Sequence, residues 1–285
     1  MYSTPATVNR TSMQQVIDTI HALRRQEEHY FVTSSYHYPA RGVDWDCRQK
    51  MAAWCSQVIQ FCDLSHETAE TAMVLLDCFL ASSGGESART CRDRYRLACM
   101  ACLYAAIKST ETQALHSNTF SELSQGAYSV KDLEQMELSI LTCLNWRVNP
   151  PTSMAFVREM MHLLPPAFGR EKKRDIYDLA VLQTERGFGA VVASPSVAAY
   201  AALMNSVQIV SKDTHCWAYI AKTMADLLKL DGTSDEMRGI QASFFHFLPK
   251  RITFVSSGRY IEGDDRLSNK SASLSGFHSP RSVSE

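Results

Sequence analysis

The chain has 285 residues, of which 45% are hydrophobic, and its formal net charge is −1. Such a length and composition suffice for one large core or two ordinary ones, and we expect two. A nearly neutral charge excludes a strong long-range attraction to nucleic acid or to an anionic membrane, so direct binding to either is not expected. The sequence shows no charged-then-apolar leader and no run of about 18 apolar residues, which predicts a soluble, intracellular protein.

Nearly every patterned segment is typical of helix, so the predicted fold class is all-α, with no strand. Residues 1–44 form an N-terminal segment with an amphipathic helix near residues 12–31, followed by a polar, aromatic loop. The next helix runs from about residue 46 to 61. A further helix follows Ser65, a good N-cap, and carries Asp77 as its only charge.

Two charged residues stand out on otherwise apolar helices. Lys108 closes an uncharged run over 97–107, which predicts a helix surrounded by its neighbours. Ser129 and Asp132 have the spacing of a helix start, and Glu137 lies on the apolar stripe of that helix. Burying an unpaired carboxylate costs several kcal/mol. The sequence leaves three alternatives open: an internal Lys108–Glu137 ion pair, contact with a partner, or simple exposure.

The paired prolines at 150 and 151 end the helical pattern and mark a domain boundary. We expect an N-terminal domain over 45–149 and a second helical domain over 150–250, with five helices each. The first domain includes a short helix at 119–127. The predicted helices of the second domain span 153–164, 170–186, 195–207, 215–230 and 234–248.

Nine cysteines are present, and seven of them fall inside helical patterns where a free buried thiol is expected. Cys99 and Cys102 have Cys-x-x-Cys spacing, but their neighbours are apolar and no second pair completes four ligands. No phosphate-binding loop, nucleophile elbow or His-Glu-x-x-His motif is present. We therefore expect no metal, no cofactor and no catalysis by this chain.

Residues 251–285 are rich in serine and poor in large apolar residues from Ser256 onward, which predicts a disordered tail. Ser279 precedes a proline, and one hypothesis is that its phosphorylation marks the protein for turnover; the alternative is a merely solvated end. The basic run at 170–174 suggests nuclear import or, alternatively, a solvated helix start.

Four segments together resemble the cyclin box in order and spacing. They are Cys47–Trp54, Leu75–Leu80, Tyr104–Lys108 and Met136–Leu141. The resemblance covers about residues 23–248 and is strongest over 45–151. It implies two tandem five-helix cyclin-fold domains and a role as the activating subunit of a cyclin-dependent protein kinase.

The resemblance also implies roles for particular residues. Lys108 and Glu137 would contact the movable regulatory helix of the kinase, and Leu141, Trp146 and Val148 would supply the apolar part of the interface, with Trp146 as the anchor.

Two further sets of positions follow from the same resemblance. Arg48 and Asp77 would form a structural ion pair. Met51, Trp54 and Gln57 lie where many cell-cycle cyclins dock short substrate motifs, but the polar replacements around them predict a weakened patch.

Residues 145–152 resemble G1-type or algal and diatom-specific cyclins more than mitotic ones. The implied function is control of cell-cycle progression, in G1 or at the G1/S transition, in the nucleus and cytoplasm. Kinase inhibitors and ubiquitin-ligase machinery are further expected partners. The alternatives are a transcription-associated cyclin and a cyclin-fold transcription factor, although the latter would be expected to show a basic footprint.

Overall fold

The structure is a computed structural model that describes residues 5–31, 42–113, 115–189, 191, 193–211, 214–248, 252–253 and 260–261. Its helices are α1 (Pro5–Phe31), α2 (Trp45–Phe61), α3 (His66–Ala81), α4 (Glu86–Thr90), α5 (Arg92–Thr110), α6 (Ser117–Leu123), α7 (Val130–Cys143), α8 (Ser153–Met161), α9 (Gly169–Gly187), α10 (Pro195–Ser211), α11 (Thr214–Leu228) and α12 (Asp235–Phe245). Two-residue strands β1 (Ile252–Thr253) and β2 (Tyr260–Ile261) pair antiparallel. The predicted all-α class is confirmed.

The chain divides into two compact units at the paired prolines. One unit holds Glu28–Pro150, and the other combines α1 up to Glu27 with the described residues from Pro151 to Ile261. We call them the α5 unit and the α10 unit, after the helix around which each is built. Among the described residues, no helix is both long and apolar enough to cross a membrane.

Helix α5 is the centre of its unit and contacts α2, α3, α4, α6 and α7. Its uncharged run from Leu97 to Ile107 is buried on all sides apart from Tyr104, as the sequence predicts. The α3 helix beside it is buried almost as completely. Packing on every face explains why this stretch needs no amphipathic pattern.

Helix α10 is the centre of the other unit and contacts α8, α9, α11 and α12. Unlike α5, it brings polar side chains into the core. Asn205 Nδ2 donates to Gln183 Oε1 at 2.9 Å, and Gln183 Nε2 donates to Ser206 Oγ at 3.0 Å. All three residues are buried, so the network satisfies groups that would otherwise be costly.

Three apolar side chains dock α1 on the core of the α10 unit. Ile20 is fully buried in that core, and Val16 and Leu23 pack against it. Their spacing of three and four residues places them on one helix face, as predicted for an amphipathic helix. Glu27 continues the same face and is buried.

The structure corrects several predictions. The short helix α4 was missed, because five residues cannot show a helical period. The prediction of no strand was wrong, since β1 and β2 pair antiparallel. Strands of two residues are too short to show an alternating pattern of apolar and polar side chains. Ile252–Thr253 and Tyr260–Ile261 therefore have regular structure within the segment 251–285, which was predicted to be disordered. The rest of that tail, including Ser279, lies outside the described residues.

Candidate functional site

Helix α7 begins with a capping box that fixes where its apolar stripe points. Ser129 Oγ accepts a hydrogen bond from Asp132 N at 3.2 Å, and the Asp132 carboxylate accepts one from Ser129 N at 2.9 Å. Hydrogen bonds from the Ser129 side chain, and then from its backbone, lower the pKa of Asp132. The reciprocal bonds satisfy backbone donors at the helix start.

Lys108 and Glu137 meet between α5 and α7. The Lys108 ammonium lies 2.6 Å from Glu137 Oε1, although the contact lacks hydrogen-bond geometry and is therefore chiefly electrostatic. The Glu137 side chain is 9% exposed, whereas that of Lys108 is 41% exposed. The ammonium also lies 4.6 Å from the centre of the Tyr104 ring. The internal Lys108–Glu137 ion pair is therefore present in this structure, and the Lys108 side chain remains partly exposed to solvent.

The C-terminal end of α7 presents Trp146 to solvent. The backbone N–H of Trp146 donates to Leu141 O at 2.8 Å, and that of Asn145 donates to Thr142 O at 3.2 Å. This pair of bonds is a Schellman motif, with Asn145 in the left-handed conformation at φ +51°. Trp146 is also left-handed, at φ +60°, and is 65% exposed.

The other apolar residues predicted for the site are less exposed. Leu141 and Val148 are half-buried. Leu138, which the sequence argument missed, is largely exposed on α7 beside Glu137. It lies three residues before Leu141, and this helical spacing was the available signal. The site thus combines one charged pair with exposed and half-buried apolar side chains.

Arg48 and Asp77 form the predicted structural ion pair between α2 and α3. Arg48 Nη2 lies 2.8 Å from Asp77 Oδ2, and Arg48 Nε lies 3.3 Å from Asp77 Oδ1. The guanidinium carbon also lies 5.1 Å from the centre of the Trp45 ring. Two parallel bonds and a stacked ring hold the Arg48 side chain in one orientation.

The three positions of the predicted docking patch do not share a surface. Met51 and Trp54 are each 2% exposed, because both point into the core from the apolar stripe of α2. Gln57 is exposed. Met51 and Trp54 are thus packing residues in this structure, and a weakened docking patch at these three positions stays a prediction.

The cysteines provide packing. All nine are free thiols. Cys55 Sγ and Cys99 Sγ lie 3.7 Å apart, and the hydrogen bond with Cys55, together with burial, raises the pKa of Cys99. Burial likewise raises the pKa of Cys102. Among the described residues, no group of three or more His, Cys, Asp or Glu side chains is arranged to hold a metal ion.

Comparison with known proteins gives consistent results. Residues 18–149 match the family model of the cyclin N-terminal domain. The G1/S-specific cyclin-E of Caenorhabditis elegans is 26% identical over 136 residues, which cover 48% of this chain and 25% of that protein. The G2/mitotic-specific cyclin-2 of Antirrhinum majus is 30% identical over 162 residues, which cover 55% of this chain and 35% of that protein. The chain therefore spans about a third or less of the length of these relatives.

Among solved structures, a viral cyclin from herpesvirus saimiri is similar in fold. The TM-score is 0.60 at 14% identity, and the match covers 79% of this chain and 97% of the viral one. The family match spans the α5 unit with its Lys108–Glu137 pair and Arg48–Asp77 pair. The chain is therefore similar to cyclins in sequence over residues 18–149 and to a viral cyclin in fold.

Proposed function

We propose that this chain is a non-catalytic regulatory subunit that binds and activates a cyclin-dependent protein kinase. The observation that carries the proposal is the Lys108–Glu137 ion pair between α5 and α7. Exposed Trp146 follows the C-terminal end of the same α7 helix. The match of residues 18–149 to the cyclin N-terminal domain supports the class of partner. Protein kinases need an ion pair made by their regulatory helix, so a protein that holds this helix in place can switch catalysis on without doing chemistry.

The charged half of the proposed contact uses both members of the pair. Lys108 neutralises Glu137, so the buried carboxylate is tolerated before a partner arrives. The ammonium has three donors and is half exposed, so it can also donate to an acceptor on the kinase. Loss of Glu137 would leave Lys108 without the charge that positions it.

The apolar half of the proposed contact is centred on Trp146. A large exposed aromatic residue is the kind of side chain that dominates binding energy at protein interfaces. Leu141 and Val148 would surround it, and exposed Leu138 extends the same surface along α7. Burying this ring against a partner removes a large apolar area from water.

The proposal is tested by a pull-down of the tagged chain from growing cells, with partners identified by mass spectrometry. The wild type is compared with Lys108→Ala/Glu137→Ala and with Arg238→Ala/Asp235→Ala, which removes an exposed ion pair of the α10 unit. We expect the wild type and the Arg238/Asp235 control to capture a cyclin-dependent kinase. For Glu137→Ala, we expect kinase affinity to fall by about 2–5 kcal/mol, or roughly thirtyfold to a few thousandfold.

Helicity measured by circular dichroism separates lost binding from lost folding. Equal capture of the kinase by the wild type and the Lys108/Glu137 variant would show that the site is misassigned. Capture of polymerase or promoter-bound factors in place of a kinase would support the transcriptional alternative.

The proposal extends to action in G1 or at the G1/S transition. Its support is the segment Asn145–Thr152, which resembles G1-type or algal and diatom-specific cyclins more than mitotic ones. Relatives of both G1/S and G2/mitotic type match the chain. Abundance and kinase association measured through a synchronised cell cycle should peak before S phase. A peak at mitosis would contradict this part of the proposal.

Nuclear and cytoplasmic location, kinase inhibitors and ubiquitin-ligase machinery complete the proposal. Lys172 and Arg174 are exposed at the start of α9, although Lys173 donates to Leu164 O at 2.7 Å. Replacement of Lys172–Arg174 should reduce entry of the protein into the nucleus. Separately, deletion of residues 256–285 should lengthen the half-life of the protein in cells. Unchanged entry or an unchanged half-life would reject the corresponding part.

A further inference from the structure

The start of α10 is capped by a residue from another helix. Ser194 is in the N-cap position, because its carbonyl accepts the first helical bond from Ala198 N at 2.9 Å. An N-cap serine usually accepts from the second or third helical N–H through its own side chain. Here the N–H of Ser196 instead donates to Glu27 Oε1 of α1 at 2.6 Å.

Glu27 and Arg24 together form a latch between α1 and α10. Glu27 is 1% exposed and forms an ion pair with Arg24. Arg24 Nη1 also donates to Ser196 Oγ at 2.9 Å. The carboxylate thus lies at the positive end of the α10 dipole with a guanidinium beside it, which is the arrangement that makes a buried carboxylate tolerable.

Ser194 lies at the edge of this latch. Its side-chain oxygen is 3.5 Å from Ser196 Oγ, and its side chain is half-buried. It is followed by Pro195, which makes it one of three Ser/Thr-Pro pairs in the sequence and the one whose two residues both lie in the described part of the chain. The others are Thr4-Pro5 and Ser279-Pro280.

We propose that Ser194 is a phosphorylation site for a proline-directed protein kinase, and that its modification is coupled to release of α1 through the Glu27 latch. The γ-phosphoryl group of ATP is transferred to Ser194 Oγ. The new O–P bond replaces the anhydride bond to ADP, which leaves, and the hydroxyl proton passes to the base of the modifying kinase. The proposal does not depend on the kinase-activator function.

The coupling follows from competition between two anions for one position. A phosphate on Ser194 carries about −1.5 to −2 charges and is attached to the residue whose side chain normally caps this helix end. Glu27 already accepts the hydrogen bond from the N–H of Ser196 and forms the ion pair with the guanidinium of Arg24. A phosphate on Ser194 would compete for both groups. Glu27 is buried, whereas a phosphate on half-buried Ser194 would be partly solvated. The added negative charge therefore favours displacement of the Glu27 carboxylate from the helix start over displacement of the phosphate.

Access of the modifying kinase to Ser194 also couples phosphorylation to opening of the latch. Protein kinases bind the residues around the target serine, and Ser196 is fully buried with its N–H held by Glu27. Opening the first turn of α10 therefore has to accompany modification. Whatever weakens the latch raises the fraction of chains in which this turn is open, so it should speed phosphorylation. By linkage, phosphorylation should in turn weaken the latch.

The test uses the full chain with Thr4→Ala and Ser279→Ala, so that Ser194 is its remaining Ser/Thr-Pro site. A proline-directed kinase with Mg²⁺ and ATP is added, and the initial rate of phosphate incorporation at Ser194 is followed by mass spectrometry. Glu27→Gln is compared with Glu28→Gln, the neighbouring exposed carboxylate. We expect Glu27→Gln to raise the rate about tenfold or more, with Glu28→Gln within about twofold of the parent. A peptide of residues 186–200 checks that the kinase accepts the sequence.

Hydrogen exchange provides the reciprocal measurement. Amides of residues 16–27 should exchange about tenfold faster in the phosphorylated chain, and Ser194→Glu should move in the same direction relative to Ser194→Gln. These serine variants keep the test valid even if Glu27→Gln loses helicity. Equal rates in the Glu27 and Glu28 variants, unchanged exchange of α1, or no phosphate on Ser194 in either the chain or the peptide would overturn the proposal.

Discussion

The α5 and α10 helices are each the central helix of their unit, yet they differ in the polarity of what they bury. Helix α5 brings thiols into its core, where Cys99 and Cys102 behave as small apolar groups with raised pKa values. Helix α10 brings an amide and a hydroxyl, Asn205 and Ser206, which are satisfied by Gln183. A thiol packs almost wherever it fits, whereas an amide requires partners in fixed positions. The α10 unit should therefore be the more sensitive of the two to a single core substitution.

The largest expected effect is that of Gln183→Ala. The substitution removes a fully buried side chain and one of the two acceptors of the Asn205 amide, the other being Gln241 O, so we expect a loss of about 4 kcal/mol in the free energy of unfolding. The matched change in the α5 unit, Cys102→Ala, should cost about 1 kcal/mol because only one small group is lost. Urea unfolding measures both variants.

Removing the whole network sharpens this comparison. The triple variant Gln183→Leu/Asn205→Leu/Ser206→Ala leaves no orphaned member of the trio, so it should be more stable than Gln183→Ala. If Cys102→Ala destabilised the protein as much as Gln183→Ala does, the difference between the two cores would be one of volume and not of polarity.

The next effect concerns the ion pairs of the two units. Arg48→Ala leaves Asp77 without its two bonds between α2 and α3, and we expect a loss of about 3 kcal/mol. Arg238→Ala removes an exposed pair of the α10 unit and should change stability by no more than about 0.5 kcal/mol. Thermal melting of the two variants at neutral pH gives the comparison, and equal shifts would contradict the structural role of Arg48.

The smallest effect is expected at two helix starts. Ser129→Ala removes the hydroxyl cap of α7, and Ser234→Ala removes that of α12, where Met237 N donates to Ser234 Oγ at 3.1 Å; each should cost about 1 kcal/mol. The two should differ in their dependence on pH, because the α7 cap includes Asp132 whereas the third helical position of α12 is Met237.

The sign follows from the lowered pKa of Asp132. Its stabilising contribution is complete above the unfolded pKa of about 4 and is lost as the pH falls through the lower folded value. Melting temperatures at pH 7 and pH 3 should therefore differ less in Ser129→Ala than in the parent. An unchanged difference would show that the Ser129 side chain does not stabilise the Asp132 carboxylate in the folded state.

Local pattern was enough to predict much of this fold. The uncharged run before Lys108 and the helix start at Ser129 placed both helices of the candidate site, and the cyclin resemblance paired Arg48 with Asp77. Met51 and Trp54 lie on the apolar stripe of α2, and such a stripe shows which face is apolar but not how completely neighbours cover it. The Glu27–Ser196 bond joins residues 169 apart, and no local period signals such a contact.

Two successive left-handed residues end α7, and the second is a tryptophan. Bulky residues rarely adopt this backbone conformation, which costs on the order of 1–2 kcal/mol and persists here through the bond from Trp146 N to Leu141 O. The backbone around Trp146 is therefore already ordered in the folded chain, before a partner binds. A protein that covers Trp146 meets a preorganised anchor, so the backbone entropy lost on association is smaller than for the same residue in a loose loop.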